Sequence, residues 1–303
     1  MTDFMNRIKL FNFFLALSLS FLSLEVWSAN PSESQTFDLK PLIEKAGRYD
    51  AKALYQLAKL YDIGYDTIPV DSVKSTALYL LSATNGYAPA MNFIGFRYYK
   101  GEYIRQDIDS ALYWIQSAAD KGDITAAANL GYLLTEGDNI PHNKEKAVKW
   151  LTVASEAGVK EAQRKLVELM RTQWKLLPND SLLALGIKYY TGRAPIIGTE
   201  LLAIAADKNI PKAQALLGDA YSKGLGVPYD HRKSIEYFYE AAIGGNPSSQ
   251  YIIAELLEFF PDIFDNRNEG NKEATSPEFW YSKAAEGGVS DSETAYKFLL
   301  SFP

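Results

Sequence analysis

Cysteine is absent from all 303 residues, and histidine occurs twice, at His142 and His231. The first absence removes disulfides, thiolate metal sites, cysteine nucleophiles and thiol redox chemistry, so stability has to come from packing. The second leaves little for metal binding or acid–base work. Both histidines precede a helix in turn-like stretches, neither has convergent partners nearby, and both read as solvated turn residues. No G-x-S-x-G elbow and no Gly-Lys-Ser or Gly-Lys-Thr phosphate loop occurs. A basic field is missing too: 31 Lys and Arg stand against 37 Asp and Glu, a net charge of −6, which argues against a nucleic-acid partner. The charged runs at Lys144–Lys146 and Glu269–Glu273 read as solvated faces. On these grounds no catalytic, cofactor-binding or metal residue is assigned, and the chain is expected not to be an enzyme.

A long apolar run occurs at the N-terminus. Within residues 1–29, Arg7 and Lys9 precede the run Leu10–Leu24, and small residues near Ser28 or Ala29 offer a cleavage point, the pattern of a secretory signal peptide. An uncleaved anchor is the alternative, although the run is shorter than the ~20 residues of a spanning helix. The expectation is therefore a periplasmic or secreted protein with no membrane span after cleavage. Residues 30–36 are polar and read as a linker, leaving 37–303 as the folded body.

In a chain that is 47% hydrophobic overall, that body repeats a unit whose clearest copy runs from Ala213 to Gly245. Ala213, Leu217 and Tyr221 fall at helical spacing and share an inward face, with Gly218 small enough to admit a neighbouring helix. Gly224 and Gly226 supply a turn, Asp230 is placed to cap a second helix, Tyr237, Ala241 and Ala242 form its expected buried stripe, and Gly244 and Gly245 end it. The landmarks recur: 36 residues separate Gly95 from Gly131, Trp114 from Trp150, Ala118 from Ala154 and Gly122 from Gly158. Asp71, Asp107 and Asn143 occupy the capping position of Asp230. The pattern breaks between about Thr172 and Pro211, where a second helix is missing or merged across Leu177–Asn179. An insertion is expected near residues 262–275, and a closing helix near Ser292–Leu300.

The recurring pattern A-x-x-x-L-G-x-x-Y-x-x-G-x-G-V-x-x-D-x-x-K-A-x-x-W-x-x-x-A-A-x-x-G resembles the Sel-one-like repeat, a relative of the tetratricopeptide repeat. Ala213, Leu217, Gly218, Tyr221, Gly224, Gly226, Val227, Asp230, Lys233, Ala241, Ala242 and Gly245 meet it, with Ser234 and Tyr237 standing in for Ala and Trp. The likeness covers most of Asp50–Gly288. It implies an all-α fold, a right-handed α-solenoid of antiparallel helix pairs, and a role in scaffolding or binding proteins. Members of the family range from host-interaction factors to envelope assembly adaptors and immunity proteins. A cysteine-rich secreted branch is linked to penicillin binding or β-lactam hydrolysis; the lack of cysteine sets this chain apart from it.

By analogy with the tetratricopeptide superhelix, one face of each first helix lines a concave groove. The positions three before, one after and four after the small residue then hold Tyr55, Lys59 and Asp62; Asn92, Phe96 and Tyr99; and, in the third repeat, Tyr132 between Ala128 and Thr135. Tyr190 follows in a later unit. Aromatics of this kind supply rigid contact area, and Asn can hold a backbone; the alternative is that some of them pack on the next repeat. In the Ala213–Gly245 unit the same positions hold Ala215, Asp219 and Ser222, which are poor anchors. The expectation is a monomeric, non-catalytic scaffold for a protein partner. An immunity protein against a secreted effector, or a cell-wall or β-lactam hydrolase, are the alternatives.

Overall fold

The structure, a computed structural model, describes residues 39–261 and 276–290. The expected signal segment, the 30–36 linker, the insertion and the closing helix at Ser292–Leu300 lie outside the described residues. Within them the chain forms fourteen α-helices, the first thirteen joined by short connections, the arrangement of an α-solenoid repeat. In order these are α1 (Lys40–Gly47), α2 (Ala51–Ile63), α3 (Ser72–Thr84), α4 (Ala88–Lys100), α5 (Ile108–Asp120), α6 (Ile124–Glu136) and α7 (Lys144–Glu156). They continue with α8 (Lys160–Trp174), α9 (Asn179–Tyr190), α10 (Pro195–Ala206), α11 (Pro211–Lys223), α12 (His231–Ile243), α13 (Pro247–Phe259) and α14 (Pro277–Glu286). The contacts group them into two compact units, one running through Leu133 together with Asp138–Pro141, the other comprising Leu134–Gly137 and the chain from His142 onward.

Side-chain caps start eight of the fourteen helices. The side chains of Asp71, Asp107, Asn143 and Asp230 accept from the backbone N–H three residues on, at 2.9, 3.1, 2.9 and 3.1 Å, as the repeat spacing predicts. Asp50, Asp123 and Asn246 do the same for the first helices α2, α6 and α13, and Ser276 for the second helix α14. Gly101 and Gly224 close α4 and α11 in the left-handed conformation, at φ 70° and 64°.

The small glycines work as expected. A Cβ at Gly95 would lie 2.6 Å from Ile115 Cγ1 and 3.1 Å from the Ala111 carbonyl, so α4 and α5 meet there with no room for a methyl group. Ser234, the departure from the consensus Ala, donates from Oγ to the Gly218 carbonyl at 2.8 Å and ties α12 to α11.

In the first unit Leu42, Ala46, Ala53, Leu54, Leu57 and Ile68 form a core that α1 closes at its N-terminal end. In the second unit Tyr239, Ala242, Ile253, Ala254, Leu257, Trp280 and Tyr281 form another. Two side chains depart from the expected stripe. Tyr237 is half-buried, and it is Tyr239 that enters the core, edge-on to Trp280 at 6.2 Å. Trp150 and Trp280 are buried at the large position of the second helix, whereas Trp114 is half-buried there.

The break in the pattern has a simple structural form. After α8 the chain passes directly into α9 with no second helix between them, and α8 packs instead on α10. Gln163, 1% exposed, secures that junction: its amide donates to the carbonyls of Arg193 at 2.8 Å and Ser155 at 3.2 Å and accepts from the Ile196 N–H. Arg171 adds an ion pair to Glu200 at 2.6 Å.

Candidate functional site

In the first unit the first helices α2, α4 and α6 are linked side chain to side chain. Arg97 of α4 is buried, with its guanidinium paired to Asp62 of α2 and donating to the Ser72 carbonyl at 3.0 Å and to Thr76 Oγ1. The rings of Tyr79, Phe93 and Tyr103 surround it at 5.1–5.5 Å. Tyr79 stacks on Phe93 at 4.0 Å and meets the edge of Tyr55 at 5.4 Å. Tyr55 in turn lies 5.2 Å from Tyr87, with the Lys59 ammonium 5.9 Å from its ring centre. One step along, Asn92 of α4 accepts from the Asn129 amide of α6 at 3.1 Å.

This packing sets the local electrostatics. Burial first, and then the neighbouring Tyr87, Asp123 and Asp62, push the Tyr55 hydroxyl up to about 12. Burial followed by the charge of Asp62 holds Tyr79 far above the ordinary tyrosine range, despite the opposing effect of Arg97. Burial likewise raises the Asp123 carboxyl, against the backbone N–H bonds it accepts.

Seven of the eight sequence-predicted groove residues lie in this unit. Tyr55, Lys59, Asn92, Phe96, Tyr99 and Tyr132 are half-buried, so each presents part of its surface while the rest is held by the protein. Phe96 and Tyr99 meet edge to face at 6.4 Å, and the Tyr99 hydroxyl accepts from the Asp138 N–H at 2.9 Å. Asp62 is engaged by Arg97. The eighth, Tyr190, belongs to the second unit and is 5% exposed, its hydroxyl donating to Asp219 Oδ2 at 2.7 Å. Arg97, Tyr79, Tyr87, Asn129 and Asp123, which organise the first-unit face, were not singled out by the sequence pattern. Arg97 and Asn129 occupy positions adjacent to the predicted ones, where the repeat consensus fixes no residue.

The second unit has a cleft of about 710 Å³ between α11, α12 and the turn after α10. Lys233, Glu236, Tyr237, Glu240 and Ile243 of α12 line it with Gly244 just after that helix, together with Gln214 and Tyr221 of α11 and Ala206, Asp207 and Asn209. Tyr221 and Tyr237 stack with ring centres 5.6 Å apart and planes 8° apart. The sequence reading put both rings in the core. The available signal was on α12 itself, where the lining residues recur at three- and four-residue steps, a single helical face that mixes charge with an aromatic.

Among the described residues no group of three or more His, Asp or Glu side chains is placed to hold a metal ion, and no helix is long and apolar enough to cross a membrane. What both surfaces offer is contact area, ring faces and fixed polar groups, which is the chemistry of binding.

The repeated helix pairs, the interlocking glycines and the capped second helices define an α-solenoid repeat protein. The Sel1 repeat model matches residues 51–87, 88–123, 124–159, 211–246 and 278–289, about half of the chain, and the chain belongs to the Sel1 repeat family. The matches skip residues 160–210, the stretch in which α8 lacks a second helix. An uncharacterized protein of Neisseria meningitidis serogroup B is 30% identical over 71% of this chain and 42% of its own length, so the chain spans less than half of that relative. Two solved structures are similar. One is a protective antigen present in uropathogenic Escherichia coli strains displaying an SLR fold, with 28% identity, a TM-score of 0.41, and 86% of this chain and 59% of that one covered. The other is a Sel1 repeat protein from Oxalobacter formigenes, with 22% identity, a TM-score of 0.42, and 81% and 89% covered.

Proposed function

We propose that this chain acts without catalysis as a protein-interaction scaffold of the bacterial periplasm or extracellular space, and that it engages a protein partner on the linked face of α2, α4 and α6. Membership in the Sel1 repeat family supports the scaffold role, since such repeats generally serve protein interaction. The export pattern of residues 1–29 supports the location.

One observation carries the choice of surface: the half-buried aromatics are fixed before any partner arrives. Tyr99 is held at its hydroxyl, Tyr55 by two rings, and α2, α4 and α6 are tied to each other through Asp62–Arg97 and Asn92–Asn129. A rigid aromatic loses little conformational entropy on binding, so more of its buried area appears as affinity. Tyr55, Phe96, Tyr99 and Tyr132 supply that area, while Lys59 and Asn92 set orientation.

The test is affinity capture from an envelope extract with tagged wild-type protein and with Phe96→Ala/Tyr132→Ala. Under this reading the double variant, folded by circular dichroism, loses the captured partner by at least about tenfold, as expected for central aromatic anchors. Capture unchanged by the double variant contradicts the surface assignment. Growth arrest on deletion of the gene would instead mark an immunity role.

A further inference from the structure

The cleft of the second unit has no part in that reading, and its chemistry points to a ligand of a different kind. Three carboxylates line it, Asp207, Glu236 and Glu240, against one cation, Lys233. Its wall is the Tyr221–Tyr237 pair, stacked almost parallel at 5.6 Å. The negative groups converge on that wall: after burial and the Tyr221 ring, Glu240, Asp207 and Glu236 all raise the Tyr237 hydroxyl.

The wall already receives a cation from the protein itself. The Lys233 ammonium lies 5.2 Å from the Tyr221 ring centre. A buried amide reaches the lining as well: Gln214, 5% exposed, donates from Nε2 to Oε2 of the exposed Glu240 at 3.3 Å and ties that carboxylate to α11. Gly244 ends the lining, and a Cβ there would lie 2.6 Å from Pro211 Cγ, so the end of α12 meets the start of α11 closely.

We propose that this cleft binds an arginine side chain carried on a segment of a protein partner. A guanidinium satisfies all the features together. Its plane stacks on a tyrosine pair, its fork of donors matches carboxylates carried by α12 and by the turn after α10, and it is more weakly hydrated than an ammonium, so entering a half-buried site costs it less. The volume, about 710 Å³, exceeds what one side chain fills and lies within the roughly 300–1,000 Å³ of ligand pockets, leaving space for the residues that flank the arginine. The face of α12 from Lys233 to Gly244 lines the cleft over nearly the whole length of the helix, which suits a chain segment laid along it. The proposal stands apart from the groove of the first unit and survives its failure.

The test uses the intact protein with tyrosine ring carbons labelled for NMR. N-acetyl-argininamide, the peptide Ac-Gly-Ser-Arg-Ser-Gly-amide, and the same peptide with Lys or Gln in place of Arg are titrated at constant ionic strength. The expected result is saturable shifts of the Tyr221 and Tyr237 ring signals, with the Arg peptide binding at least threefold tighter than the Lys peptide and the Gln peptide showing no saturation. Glu240→Gln, an exposed and conservative change, lowers the Arg peptide's affinity at least fivefold, and Glu236→Gln/Glu240→Gln at least twentyfold, with thermal melting unchanged. Tyr237→Ala abolishes the Tyr221 shift; because it removes packing, it is read only alongside the Gln variants. Equal binding of Arg and Gln peptides, an affinity unmoved by the double Gln variant, or binding of N-acetyl-argininamide with exclusion of the peptide each overturns the proposal. So does a concentration-dependent dimer that disappears in Glu240→Gln, which would make a second copy of the chain the occupant.

Discussion

The Arg97 side chain is only 7% exposed, and its guanidinium is met by three acceptors: Asp62, the Ser72 carbonyl and Thr76. Removing one partner of such a pair leaves an uncompensated buried charge, whereas removing both can be nearly neutral. Asp62→Ala is therefore expected to cost about 3 kcal/mol in urea unfolding. Asp62→Ala/Arg97→Met should recover at least half of it. If the single and double variants are equally destabilised, the pair is not what holds this site. Tyr55 sets a second expectation. Its hydroxyl is raised to about 12, so the unfolded chain loses this proton first, near the ordinary value of 10.0. The contribution is whole below pH ~10 and is lost as the pH rises toward 12, a total of roughly 2–3 kcal/mol. Tyr79, raised further by burial and Asp62, extends the same alkaline loss. In Tyr55→Phe, stability measured between pH 9 and 12 should fall less steeply than in the wild type; identical slopes would contradict the burial of that hydroxyl.

Helix by helix, the glycines and caps give the strongest expectations. Alanine is the better helix former by about 1 kcal/mol, so a helical Gly→Ala change is stabilising wherever space allows. At Gly95 the added methyl meets Ile115 Cγ1 at 2.6 Å and also backbone, the Ala111 carbonyl and the Ile115 nitrogen at 3.1 Å, and overpacking of about 1–3 kcal/mol outweighs the gain. At Gly218 it meets the Phe238 ring at 2.9 Å, a side chain that can give way. Gly95→Ala should lower the melting temperature, and by more than Gly218→Ala. Asp230→Ala removes the Lys233 N–H bond at the start of α12 and should cost about 1 kcal/mol. These features were legible in the sequence because a repeat displays them several times over. Asp71, Asp107, Asn143 and Asp230 fall in register, and so do Gly95 and Gly218. What could not be read was set by single residues outside the consensus. Gln163 ties α8 to the start of α10 through Arg193 and Ile196 and to α7 through Ser155; Gln214 and Gln250 are buried at the same place in their helices, a position at which the consensus fixes no residue. Tyr237 was placed inside because its repeat position holds Trp114 and Trp150 elsewhere. In α12 the core is served by Tyr239 instead, and Tyr237 is left to stack on Tyr221 at the cleft.

At the scale of the whole molecule, the missing cysteines and the lack of any chemical signature direct attention to surfaces. The family fixes the fold, and within it the first unit carries the aromatic face while the second carries the acidic cleft. The sequence pointed toward the first and away from the second, since the best-formed repeat, Ala213–Gly245, holds weak residues at its groove positions. The cleft is lined from other positions of that same repeat, those of the second helix, so regularity of the repeat and poverty of one face said nothing about the other.

The central claim, that a protein partner rests on the face of α2, α4 and α6, is tested most directly by site-specific photocross-linking in the living cell. A benzophenone amino acid is placed at Phe96 or Tyr132, and at Tyr113, 64% exposed on α5, as the control. The account predicts one shared cross-linked product at Phe96 and Tyr132 and none at Tyr113. Cross-linking at Tyr113 alone, or at no position, would contradict it.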